Sequence, residues 1–169
     1  FYARYATAAE SDQYDKRFGS APFAAQTKWI ADNAKALNIP FTIHLGDVVD
    51  QVGKPDQWKV ADAAMKLLED AKLPYSVLAG NHDVLRDIDY GVDPVGGTDA
   101  DRDPSKEPYL QWFGTERAKK QATFGGRDPS GFHEYHVFEA QGQKFMVLSL
   151  SWRISAAGIA WARQVIAKN

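Results

Sequence analysis

A chain of 169 residues, 44% hydrophobic and 25% charged, has the size and make-up of one globular domain with a full core. A net charge of -2 argues against a polyanion-binding surface, and the absence of cysteine excludes disulfide frameworks, thiolate metal sites and cysteine nucleophiles. No apolar run approaches the roughly 18 residues of a membrane span, and no signal peptide or internal repeat is visible. The chain opens on Phe1, so the expectation is a processed, truncated or excised piece.

Residues 1–20 are polar and aromatic without a period and read as a loop with at most a short helical turn. Pro22 suits a first helical turn, and Phe23, Ile30, Ala34 and Leu37 follow near a helical period until Asn38-Ile39-Pro40 ends it. Phe41 to Leu45 is a short apolar run of the kind that forms a buried strand. A second helix is predicted from about Gln57 to Ala71, with Trp58, Ala61, Met65, Leu68 and Ala71 on one face and Ala64 beside them. Leu73-Pro74 breaks it, and Tyr75 to Ala79 reads as the next strand. Strand, helix and strand in this length make a parallel crossover unit, which brings both strand ends to one sheet edge.

Residues 84–108 are rich in Asp, Gly and Pro and read as a long surface loop. Tyr109 to Lys120 is predicted helical, and Glu134 to Glu139 with Lys144 to Leu150 form two strands around a Gln141-Gly142 hairpin turn. Ser155 is placed to cap a last helix to Lys168, with Ile159, Ala162 and Val165 or Ile166 inward. Trp29, Trp58, Trp112 and Trp161 fall on helical stripes and read as packing residues.

Two motifs stand directly after the paired apolar runs. Gly46-Asp47-Val48-Val49-Asp50 follows the first, and Gly80-Asn81-His82-Asp83 the second. Each alone reads as a turn, since Gly, Asn and Asp suit turn backbones. Together they bring carboxylates, an amide oxygen and an imidazole to the edge where open α/β sheets bind ligands. Hard divalent ions take anionic and neutral oxygen ligands, and histidine titrates near neutral pH.

These motifs resemble the calcineurin-like metallophosphoesterases, whose pattern runs Asp-x-His, Gly-Asp-x-x-Asp, Gly-Asn-His-Asp or Glu, then two later His blocks. Gln26-Thr27-Lys28-Trp29-Ile30 and Ala160-Trp161-Ala162 are similar to a bacterial branch often found in larger exported proteins. The similarity covers most of residues 20–169. It implies an α/β fold, a metallophosphatase-like α/β/β/α sandwich with a mixed sheet. By the same resemblance Asp47 bridges two metals and Asn81 is a ligand of one of them. His82 stabilises the transition state or protonates the leaving group, with Asp50 as its partner. The implied activity is hydrolysis of a phosphomonoester or phosphodiester by metal-bound hydroxide. The two divalent ions would be drawn from Mn, Fe, Zn, Ni or Co.

The first block, which in this branch can be Asp-x-Gln, would lie at or before Phe1, and the later His blocks beyond Asn169. The expectation is therefore a domain spanning 1–169 that is incomplete at both ends. The alternative is a non-catalytic binding or structural module that kept the fold. The expected partner is a phosphate-ester substrate, with no nucleic-acid patch evident. Compartment and oligomeric state are left open, export being compatible with the branch.

Other groupings carry less. Asp99-Ala100-Asp101-Arg102-Asp103 resembles the opening of a calcium loop, but Pro104 stands where glycine belongs, so a solvated loop is expected. His133 and His136 face opposite sides of a strand and are not expected to share a metal, and His44 reads as a hydrogen-bonded buried histidine. Asp87-Ile88-Asp89 has the letters of an aspartate-nucleophile phosphatase but lies in a polar loop. Neither a dinucleotide nor a P-loop motif occurs.

Overall fold

The computed structural model describes residues 2–7, 21–86 and 97–169. The Asp87–Asp89 triplet and most of the amino-terminal loop expected over 1–20 lie outside the described residues. A short helix α1 (Tyr2–Tyr5) comes first. Proline then opens both longer helices of this half, α2 (Pro22–Asn33) and α3 (Pro55–Asp70). At the first helical position proline loses no intrahelical hydrogen bond, and its φ is already suitable. Asn38 (φ 52°) and Lys72 (φ 56°) turn the chain left-handed after these helices.

The strands β1 (Thr42–His44) and β2 (Tyr75–Val77) pair in parallel, Thr42 beside Tyr75 and His44 beside Val77. Parallel pairing requires a crossover, and α3 supplies it. Its inner face (Trp58, Ala61, Ala64, Met65 and Leu68) is buried in one cluster with Tyr75, Val77, Ala79, Val48 and Val49. Burying a large apolar side chain is worth about 1.5–3 kcal/mol, so this face outweighs helix propensity in holding α3. Trp58 also donates its indole N–H to Val52 O at 2.8 Å.

The second half holds α4 (Pro108–Phe113), α5 (Thr115–Ala118), β3 (Phe124–Arg127), β4 (Glu134–Ala140), β5 (Gln143–Ser149) and α6 (Ala156–Lys168). The helix expected over 109–120 is broken at Gly114, which is extended (ψ 179°). A side chain there would stand 2.2 Å from Leu110 O, so only glycine permits the break. Strand β3 was not foreseen, because Phe-Gly-Gly-Arg has no alternation. Its glycines make room for the Tyr135 ring, which an added Cβ on Gly125 would strike at 2.1 Å.

The hairpin turn is where the sequence placed it. Gln141 (φ 53°) and Gly142 (φ 73°) both take the left-handed conformation that two-residue hairpins need. Strands β3, β4 and β5 form an antiparallel sheet. It is tied to β2 by Val77 N–H donating to Glu134 Oε1 (3.1 Å) and Trp152 N–H donating to Ala79 O (2.8 Å). The architecture is thus α/β with parallel and antiparallel strands.

Ser155 caps α6, its Oγ accepting the Gly158 N–H at 3.1 Å. Ala162 and Val165 face inward as expected, but Ile159 is 42% and Ile166 59% exposed. The helix docks instead through its small residues. An added Cβ on Gly158 would meet His133 Nε2 at 2.7 Å, so close approach, not side-chain size, selected the buried face. Trp29 also departs from expectation at 55% exposure, while Trp161 packs against the His133 and Tyr135 rings. Among the described residues no helix is long and apolar enough to cross a membrane.

Candidate functional site

Both motifs leave the sheet at the carboxyl ends of β1 and β2, and there they touch. Gly46 takes φ 91°, and a Cβ on it would lie 2.7 Å from Gly80 N. A Cβ on Gly80 would lie 2.1 Å from Asp47 Oδ1. Two glycines at facing positions therefore let the turns approach more closely than any side chain allows. Asp47 follows in the left-handed region (φ 51°), which aspartate tolerates better than most residues.

Asp83 clamps the two turns together. Its Oδ2 accepts the N–H of Val48 (3.1 Å) and of Gly80 (2.8 Å), and its Oδ1 accepts that of Val49 (3.0 Å). Burial pushes its carboxyl up to about 7, while the N–H donors of Val49, Gly80 and Val48 pull the other way. A second link runs from His82 N–H to Asp47 Oδ1 at 3.3 Å. The sequence places Asp83 in its motif without a role, because two of its three partners, Val49 and Val48, lie 34 and 35 residues away.

His82 and Asp50 meet, through the Asp50 main chain rather than its carboxylate. His82 Nδ1 lies 2.7 Å from the main-chain oxygen of Asp50 and 3.8 Å from its Oδ1. A carbonyl only accepts, so Nδ1 carries the proton and the ring's remaining chemistry is at Nε2. The Asp50 carboxylate is engaged by Arg4 Nη1 at 2.9 Å instead. Gln57 Oε1 accepts the N–H groups of both Asp50 (2.9 Å) and Gln51 (3.0 Å). Neither Arg4 nor Gln57 was singled out from the sequence. Gln57 sits in the first turn of α3, a position that signals nothing by itself, and Arg4 lies 46 residues from Asp50.

His44, on β1 below Gly46, accepts the Gly46 N–H through Nδ1 at 3.3 Å. Burial lowers its pKa to about 4 from an ordinary 6.5. The folded value is below the unfolded one, so its neutral form gives full stability above pH 6.5. That stability is lost as the pH falls towards 4, by up to about 3 kcal/mol. His44→Asn, which keeps an acceptor for Gly46, should flatten this acid limb. Urea midpoints for both proteins between pH 7 and 4.5 check it, and parallel curves would refute it.

Asp47 and half-buried Asn81 offer oxygen donors at the cradle formed by Gly46 and Gly80, a donor set suited to hard divalent cations. Elsewhere, Asp99, Asp128 and His133 lie close enough to hold an ion. As folded, the two carboxylates are committed to other bonds, while His133 Nε2 has no hydrogen-bond partner among the described residues. His133 Nδ1 accepts the Ser151 N–H (3.1 Å), so the neutral ring carries its proton on Nε2, the nitrogen aimed at Asp99 Oδ1 (3.5 Å). Asp99 accepts the Ser155 N–H and Oγ–H, and Asp128 Oδ1 accepts the His133 N–H (2.9 Å). Asp99 is thus buried and ties its turn to the start of α6, rather than lying in a solvated loop. His136 sits apart from His133, against Thr123, Phe41 and Phe124.

A sequence model of the family described as calcineurin-like phosphoesterase matches residues 18–155. The uncharacterized protein YvnB of Bacillus subtilis (strain 168) is 35% identical over 147 residues, covering 87% of this chain. The chain spans about a tenth (10%) of that relative's length. No solved structure matches.

Proposed function

The chain belongs to the calcineurin-like phosphoesterase family, and from that premise we propose that it carries the divalent-metal-dependent hydrolysis of a phosphomonoester or phosphodiester. The observation that supports this most is the contact between the turns bearing Asp47 and Asn81, which Asp83 locks together at one sheet edge. In this reading Asp47 and Asn81 would hold metal, Asp47 through its carboxylate and Asn81 through its amide oxygen. Bound divalent ions would polarise the phosphoryl oxygens and lower the pKa of water, chemistry open to Mn, Fe, Zn, Ni or Co. His82, its Nδ1–H held by the Asp50 carbonyl, presents Nε2 to the phosphoryl group or leaving oxygen. Asp50 acts through that imidazole.

The test loads the chain with Mn²⁺, desalts it and measures bound metal beside hydrolysis of p-nitrophenyl and bis-p-nitrophenyl phosphate. Asp47→Asn should lose retained metal and activity together. His82→Ala should keep its metal and lose about 10²–10⁴-fold in kcat. Retained metal without turnover in the unmutated chain would favour a binding module. Activity that survives both substitutions would overturn the residue roles.

A further inference from the structure

We infer that Arg4, which lies outside both motifs, is a positioning residue of this site: it holds the Asp50 carboxylate so that the Asp50 main chain, not its side chain, receives the His82 imidazole. The consequence for turnover rests on the phosphoesterase reading, while the consequence for the imidazole rests on geometry alone.

Asp50 is 7% exposed, and a buried carboxylate needs a counter-charge. Among the described residues, two cationic or potentially cationic groups reach it. Arg4 Nη1 is 2.9 Å from Oδ2, a charge-assisted hydrogen bond. His82 Nδ1 is 3.8 Å from Oδ1, beyond hydrogen-bonding range, and 2.7 Å from the main-chain oxygen. The arginine thus satisfies the carboxylate and leaves the carbonyl to the histidine.

The arrangement is anchored from three elements. On α1, Ala3 is fully buried in the core cluster that also holds Val48, Val49 and Val52, and α1 packs against α3 and α2, which fixes the next residue, Arg4. On α3, Gln57 holds the Asp50 and Gln51 N–H groups. From the β2 turn, His82 closes the set. Without the guanidinium, the nearest cationic donor to the Asp50 carboxylate among the described residues is His82 Nδ1, at 3.8 Å. The ring then turns from carbonyl to carboxylate, and Nε2 re-aims.

Re-aiming a group that acts in the transition state lowers kcat with little change in KM. Arg4→Ala should therefore move the His82 ring ¹⁵N resonances. It should also reduce kcat on bis-p-nitrophenyl phosphate, with the Mn²⁺-loaded chain, by up to about 10²-fold while KM stays within about twofold. Arg4→Lys should restore most of both. Asp50→Asn removes the charge that Arg4 compensates, so adding Arg4→Ala to it should change neither readout further. Unchanged His82 resonances in Arg4→Ala would overturn the inference, as would Arg4→Lys behaving like Arg4→Ala. If Arg4→Ala does not fold, the Lys and Asn variants still decide. If the unmutated chain shows no metal-dependent turnover, the phosphoesterase reading fails, and the resonance arm still settles the role of Arg4.

Discussion

Asp83→Ala is expected to destabilise the fold by about 2–6 kcal/mol, at roughly 1–3 kcal/mol for each of the two fully buried donors left unpaired, the Val48 and Val49 N–H groups. The substitution orphans the N–H groups of Val48, Val49 and Gly80 in one step. Water cannot easily replace the carboxylate, because Asp83, Val48 and Val49 are buried together. For a domain with a typical 5–15 kcal/mol of total stability, that loss leaves a marginal protein. Asp83→Asn should lose less. Its single oxygen can serve Val48 and Gly80 or else Val49, and its amide then faces at least one N–H. Urea denaturation at pH 7 reads the order: unmutated most stable, then Asn, then Ala. An alanine variant within 1 kcal/mol of the parent, on the order of a surface substitution, would show that the clamp is dispensable.

Arg127→Met should cost about 3–5 kcal/mol, the range for breaking a buried ion pair by removing one partner. The side chains of Arg127 and Glu134 are 3% and 1% exposed, and Arg127 Nε lies 2.9 Å from Glu134 Oε2. The same guanidinium also donates to Gly131 O (3.0 Å) and Phe113 O (2.7 Å). Methionine leaves a buried carboxylate without its cation. Glu134 also accepts the Val77 N–H, so the damage reaches β2 and the turn that follows it. Arg127→Met with Glu134→Gln should recover most of the loss, because glutamine keeps an acceptor for Val77 and removes the uncompensated charge. The same urea series decides it. A double variant as unstable as the single one would mean that the damage comes from the lost carbonyl bonds rather than from the charge.

The amino-acid order by itself determined the β1–α3–β2 crossover, the Gln141-Gly142 turn and the Ser155 cap. Each is a local matter: a change of hydrophobic period, a proline at a helix start, or residues that accept left-handed backbone. It also placed Asp47, Asn81 and His82 at strand ends, since motif spacing is written along the chain. Strand β3 escaped notice because two glycines carry no pattern, and they make sense only beneath the Tyr135 ring. Which face of α6 is buried followed from the room beside His133, not from the bulk of Ile159 or Ile166. The partners of Asp50 and Asp83 were equally out of reach, because Arg4 and the Val48-Val49 pair stand 46 and about 35 residues away. Only the tertiary structure decided that an arginine takes the Asp50 carboxylate and a carbonyl takes the imidazole. A hydrogen bond is chosen by distance in space, and sequence separation says nothing about which of several nearby acceptors a donor will find.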